Sequence, residues 1–442
     1  MSESCPDSKE EGDERQVAAS SKEDTTQESV ETTCTENVEK SDRNSPQSKK
    51  RKHSPEPVSS KVAKHTEENL NDARSNASNI SEKETETDND HTGVVAKHYN
   101  ELAERGLSIR HRSRILYMRN FNNWVKSMLI SEYLSKVKEN KSHGSSVRVL
   151  DMCCGKGGDL FKWKNGHVSY VICADIAEVS VDQCKNRYEI MKRKSNHQRD
   201  FTSLFNAEFI AADCTKVRLK QRYKDPSIQL DLVSCQFALH YSFESLQQAE
   251  CMLRNASESL GTGGYFIGTI PNAYVLMSRW QKCDGNKFGN DIYNIEFLCD
   301  KEKPPLFGAK YNFHLEEVVD CPEFLVHLPT LCKLATKFGF ELVKFQRFDE
   351  YYEGMKGEGR RLLNTIQALE AYPPHPDTQL HGQADKDYEH ADQYIKNSKS
   401  RHPRIGTLSQ TEWEAISLYA VFVFRKLKTV WNKEGKPEYV KL

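Results

Sequence analysis

Hydrophobic and polar positions change rhythm along the chain. From residue 1 to about 93 nearly every position is Ser, Thr, Glu, Asp, Lys or Asn, and no apolar period appears. Such a segment cannot bury enough surface to offset its chain entropy, so 1–93 is expected to be a disordered tail. Order is expected to begin near Val94, and Phe121-Asn-Asn-Trp-Val-Lys-Ser-Met-Leu-Ile130 then carries large apolar residues at helical spacing. From Val147 to about Phe266 short β-prone runs alternate with helical ones. Strands are predicted at 147–152, 170–174, 208–211, 230–235 and 265–269, and helices at 179–194 and 243–260. That alternation predicts an α/β fold with a mostly parallel, doubly wound sheet.

Beyond Pro271 the pattern loosens. Aromatic-rich runs at 293–298, 310–313 and 340–348, with a helical stretch at 331–338, predict an extension appended to the sheet. Residues 372–404 are polar, contain Pro373, Pro374 and Pro376, and become helical only at 388–397; they read as a surface lobe of the kind partners bind. The run Leu408–Phe424 reads as a short capped helix entering a strongly apolar strand, which should lie centrally. Two domains result: the tail 1–93, and a folded domain 94–442 that includes the 372–404 lobe.

Charge adds little globally, because 63 basic residues face 64 acidic ones. Locally, Lys49, Lys50, Arg51 and Lys52 form a basic cluster in the tail, which reads either as a nuclear import signal recognised by an importin or as a solvated charge run. Ser45-Pro46 and Ser54-Pro55 bracket it and are candidate phosphate acceptors. Arg110, Arg112, Arg114 and Arg119 form either a wet face or a surface for phosphates. The thirteen cysteines show no paired C-x-x-C spacing, so neither a zinc site nor a disulfide framework is expected. No apolar leader or membrane-length run is present in the sequence, and an intracellular, soluble protein is expected.

The candidate chemistry centres on Val147-Arg-Val-Leu-Asp-Met-Cys-Cys-Gly-Lys-Gly-Gly-Asp159. A buried strand runs into a glycine turn and a helix start, which lets backbone approach a ligand. In parallel sheets ligands bind beyond the carboxyl ends of strands, and those ends carry Asp151, Asp175, Asp213 and Gln236–Tyr241. The phosphate-cradling pattern fails because Lys156 precedes the glycine pair. The dinucleotide pattern fails because Leu160 stands where the third glycine belongs. S-adenosylmethionine remains: it lacks a pyrophosphate, and acids at successive strand ends suit its ribose and adenine. Each acid alone also has an ordinary reading as a helix cap.

Five motifs then resemble those of eukaryotic mRNA cap guanine-N7 methyltransferases of the vertebrate type. They are Phe121-Asn-Asn-Trp124, Asp151–Asp159, Cys235-Gln-Phe-Ala-Leu-His-Tyr-Ser-Phe243, Gly263-Gly-Tyr-Phe-Ile-Gly268 and Pro322-Glu-Phe324. The resemblance runs from about Tyr99 to Phe424 and includes Glu412-Trp-Glu-Ala415. It implies a class I S-adenosylmethionine-dependent methyltransferase fold with a seven-stranded sheet. It also implies transfer of a methyl group to N7 of the terminal guanine on a capped RNA, in the nucleus.

The same resemblance implies that Lys126, Cys153, Asp175, Asp213, Gln236 and Tyr241 hold the methyl donor. It implies that Asn122, Asn123, Lys156, Lys162, Arg187, His240, Glu323 and Tyr419 contact the cap. His240, Tyr241 and Glu323 would position the reactants, with no acid–base residue and no metal. The family usually has glycine where Cys153 stands, so this turn must tolerate a Cβ. A small activating subunit on the 372–404 lobe and contact with the transcription machinery are further expectations from the resemblance. Transfer to another acceptor, or an inert cap-binding scaffold, are the rival readings.

Overall fold

In the sequence between Val147 and Met152 the side chains alternate between two apolar environments, and this alternation sets the architecture. Val149 joins one apolar core and Leu150 the other; Val171 and Ile172 on the next strand split the same way. A sheet with both faces covered by helices follows from that pattern. The computed structural model describes residues 91–101, 111–142, 144–197, 204–400, 403–435 and 437–440. The basic cluster Lys49–Lys52, the two Ser-Pro pairs and Arg110 lie outside the described residues.

Helices α1 (Thr92–Glu101) and α2 (Leu116–Glu139) precede the sheet. Strand β1 (Arg148–Met152), helix α3 (Leu160–Asn165), strand β2 (Tyr170–Asp175), helix α4 (Glu178–His197) and strand β3 (Asn206–Ala211) follow. Then come β4 (Leu230–Gln236), α5 (Leu246–Ser257), β5 (Leu260–Pro271) and α6 (Ala273–Gln281). The predicted helix over 243–260 is shorter, because Ser245 Oγ accepts from Gln248 N–H and caps it.

Past α6 the expected single extension divides in two. Strands β6 (Lys287–Gly289), β7 (Tyr293–Phe297), β8 (Lys310–Leu315) and β9 (Val319–Phe324) form their own antiparallel sheet. After α7 (Leu328–Lys337), strand β10 (Phe340–Arg347) instead forms the edge of the main sheet. Aromatic content was common to both groups, whereas partner choice depends on tertiary position.

Helices α8 (Phe348–Met355) and α9 (Arg360–Thr365) lead to β11 (Glu370–Tyr372), which pairs with β12 (Ile405–Thr407) and closes the base of the 372–404 lobe; α10 (Glu389–Lys396) lies inside it. The short helix α11 (Gln410–Ile416) carries a capping box between Ser409 and Glu412, as its sequence suggested.

Strand β13 (Tyr419–Lys426) completes a seven-stranded sheet of order β10-β13-β5-β4-β1-β2-β3. It is buried and antiparallel to both neighbours, so it is interior but second from an edge, not the middle strand. The pairs among β1 to β5 are parallel. A final hairpin, β14 (Lys428–Trp431) and β15 (Pro437–Val440), ends the described chain. Among the described residues no helix is long and apolar enough to cross a membrane.

Candidate active site

The turn after β1 is held by backbone geometry. Cys154 N–H donates to Ala174 O on β2 at 3.1 Å, and Gly157 N–H donates to Cys154 O at 3.1 Å. Gly155 and Gly157 have φ of 50° and 76°. At Gly157 a Cβ would lie 2.7 Å from Cys184 Sγ, so packing as well as φ demands glycine. Cys153 has φ 57°, the left-handed region that glycine favours. Its Cβ is therefore accepted in a strained conformation and does not force the turn into another one.

One cavity above this turn is lined by all six residues expected to hold the donor: Lys126, Cys153, Asp175, Asp213, Gln236 and Tyr241. Asp175 accepts Gly155 N–H at 2.8 Å with one carboxylate oxygen and Ala177 N–H at 2.9 Å with the other. It thus braces the glycine turn and the backbone just ahead of α4 while lining the cavity. Burial pushes its carboxyl up, and the backbone donors oppose this. Asp213 Oδ1 accepts from Thr215 N–H and Oγ–H at 2.8 and 2.6 Å. Neither acid is a helix cap, since a turn follows Asp213 and Ala177 O accepts the first α4 bond; both brace loop backbone from the cavity wall.

Gln236 is fixed between Ser234 Oγ and Thr269 Oγ1, at 3.0 and 3.2 Å. The next residue, Phe237, also has φ 57°, so two non-glycine residues in the left-handed region end adjacent strands at this cavity. Strain of this kind persists where surrounding structure over-determines it, commonly at functional sites.

A second cavity adjoins the first and is lined by Asn122, Asn123, Arg187, His240, Glu323 and Tyr419, together with Arg119. Tyr99, Lys126, Gly158, Phe237 and Tyr241 border both. Glu323, on β9, is only 4% exposed, and its carboxylate accepts from Tyr311 Oη at 2.8 Å. His240 Nε2 lies 3.2 Å from Glu323 Oε1 but without hydrogen-bond geometry, so neither ring nitrogen is satisfied. Asn122 Oδ1 is likewise buried and unpaired. Buried polar atoms normally have partners, so this concentration points to a polar, planar ligand.

Two expected cap contacts are not brought to that cavity. Lys162 does not line it; its ammonium pairs with Asp159 at 2.7 Å, bonds Asn123 Oδ1 at 2.5 Å, and is 10% exposed. Packing of α3 against α2 turns it inward. Lys156 is half-buried and lines neither cavity. Of the basic run, Arg119 reaches the second cavity, whereas Arg114 is bound to Asp387 at 2.7 Å and to Ser409 and Thr411, tying the base of the lobe to the domain. Its structural pairing replaces the phosphate reading; Arg112 is exposed and lines neither cavity.

Asp159, on the wall of the first cavity, pairs at 2.9 Å with Lys126, which borders both, as well as with Lys162. Burial opposes its ionisation, but the Lys126 and Lys162 charges bring its carboxyl down to about 2. Sequence reasoning missed this strut, and it missed Tyr99, Phe237 and Tyr311. Phe237 lay inside a quoted motif, whereas Tyr99 and Tyr311 carried no local signal.

The domain described as mRNA (guanine-N(7))-methyltransferase matches residues 82–427. The mRNA cap guanine-N(7) methyltransferase of Drosophila melanogaster is 53% identical over 348 residues, covering 78% of this chain and 80% of its own. That of Caenorhabditis elegans is 41% identical over 358 residues, 78% of this chain and 90% of its own. The mRNA cap guanine-N(7) methyltransferase 1 of Oryza sativa subsp. japonica is 37% identical over 340 residues, 75% and 80% respectively. With the sheet, the donor-type cavity and the adjoining polar one already in place, a match of this extent means that the chain belongs to the mRNA (guanine-N(7))-methyltransferase family.

Proposed function

We propose that this chain performs its family's methyl transfer, from S-adenosylmethionine to N7 of a cap guanine, with the first cavity as donor site and the second as cap site. The carrying observation is Glu323, a buried carboxylate facing the unsatisfied His240 ring. Such a carboxylate can accept from the guanine N1–H and exocyclic amine together, which adenine cannot offer. Asn122 and His240 supply further polar atoms, while Arg187 and Arg119 bring positive charge to the same wall.

The residues present fit the donor. Asp175 and Asp213 keep acceptor capacity beyond their backbone bonds, suited to ribose hydroxyls and an adenine amine, and the glycine turn admits close backbone approach. When bound, the donor supplies an electrophilic methyl on a sulfonium, and N7 already presents a lone pair. No proton transfer and no metal is called for by that chemistry. The chain's work is positioning: Tyr241, whose hydroxyl lies 3.2 Å from Tyr99 Oη, and Phe237 stand where the cavities meet. Burial keeps both tyrosine hydroxyls protonated, so they act as neutral walls and donors.

The same reading places the protein in the nucleus, imported through Lys49–Lys52 by an importin, with an activating subunit on the 372–404 lobe and the transcription machinery as further partners. Labelled methyl transfer to RNA ending in GpppN or ApppN tests the core of it. Label confined to N7 of the guanine cap is expected; equal labelling of the adenine cap would sink the proposal.

A further inference from the structure

The turn that forms the donor site rests on an arrangement of sulfur that methyl transfer does not use. Cys154 follows β1, Cys173 lies on β2, and Cys184 lies on α4; their Sγ atoms all fall within 4.8 Å of one another. Strand register places Cys173 opposite Asp151, and the next turn carries Cys154 over it. Cys173 and Cys184 are fully buried, and Cys154 lines the donor cavity, which gives the trio one opening.

We propose that Cys154, Cys173 and Cys184 form a trigonal three-thiolate site for one soft, thiophilic ion of the Cu(I) type, seated directly beneath the donor turn. Metal–sulfur bonds of roughly 2.3 Å in a trigonal plane hold their sulfurs about 4 Å apart, within the observed spacing. Zinc is disfavoured because its structural sites take four ligands, and no fourth His, Cys or carboxylate joins the group among the described residues. Soft thiolates of low coordination number select Cu(I) instead. Binding forms three copper–sulfur bonds, releases the three thiol protons to solvent, and transfers no electron.

Loading the site acts on the donor turn. Cys154 O accepts the Gly157 N–H, and Gly157 packs directly on Cys184. Drawing these sulfurs around an ion shifts the backbone that Asp175 braces, so ion and donor are antagonists, each weakening the other by the same factor.

The test is anaerobic titration of the full chain with Cu(I) buffered by a chromogenic chelator, with X-ray absorption of the product and donor affinity by calorimetry. One tight ion in a three-sulfur shell is expected, with donor affinity at least ~10-fold lower in the loaded protein. Cys184→Ser is expected to lose the tight ion, whereas Cys332→Ser, on α7, keeps it. A two-sulfur shell, tight binding that survives Cys184→Ser, a Cys154–Cys184 disulfide in place of bound metal, or unchanged donor affinity on loading would each overturn the proposal. The absorption measurement on the unsubstituted chain decides the matter even where a variant fails to fold. Methyl transfer to capped RNA is scored separately, so failure here leaves the cap reading standing.

Discussion

The donor cavity and the cap cavity share a border but are built in opposite ways. Donor-side acids already have partners: Asp175 and Asp213 each accept backbone N–H groups from the loop that follows their own strand. They are satisfied before any ligand arrives, and binding uses their leftover lone pairs. Cap-side groups come from distant segments, Asn122 on α2, His240 after β4, Glu323 on β9, and several are buried without partners. The first is a site made by local loop geometry, and the second one made by assembly. A locally built site should fail gradually, with stability and affinity falling together. An assembled site should fail abruptly in activity while the fold persists.

The largest expected effect tests the assembled side. Glu323→Ala should reduce methyl transfer to capped RNA by about 10³-fold or more, because the guanine edge loses its acceptor. Donor affinity by calorimetry should be unchanged. Abolished donor binding, or near-normal activity, would erase the distinction between the cavities. Asp175→Ala should do the reverse. It leaves Gly155 and Ala177 N–H without their acceptor, so donor affinity should fall about 100-fold and stability by roughly 1–3 kcal/mol together. Intact donor affinity in a destabilised variant would confine Asp175 to bracing the turn.

Asp159 lines the donor cavity and pairs with Lys126, which borders both, so its response to pH sharpens the comparison. Its folded value of about 2 lies below the usual aspartate value, so its contribution to stability is complete above about pH 4 and is lost as pH falls toward 2. The wild-type chain should lose on the order of 2 kcal/mol across that window relative to Asp159→Asn, measured by denaturant unfolding at each pH. Parallel pH curves for the two proteins would remove Asp159 as the strut. The smallest effect is expected from Cys153→Gly. Relief of left-handed strain and loss of side-chain packing offset one another, so stability should change by less than about 1 kcal/mol, with donor affinity equal or slightly higher. A clear loss of donor affinity would mean that the thiol itself contacts the donor.

The same contrast explains how much could be read in advance. The strand–turn–helix unit, the acids at the strand ends and the Ser409 capping box are local devices with periods and spacings of their own. The resemblance supplied the cap-side residues, and six of eight line one cavity. Lys162 departs from it because the face α3 presents to α2 is a packing outcome. Arg114, read from the basic run as a wet face or a phosphate surface, is instead paired because Asp387 comes from a segment 273 residues away.

By itself, then, the sequence determined the alternation of strands and helices, the glycine turn and the acids near the strand ends, since these depend on neighbours a few positions apart. Tertiary structure decided that β10 joins the main sheet while β7 and β8 do not, and that Asp159 pairs with both Lys126 and Lys162. It also decided that three cysteines, from the turn after β1, from β2 and from α4, meet there. Contacts of that kind form between segments whose spacing along the chain carries no period, so only packing selects them.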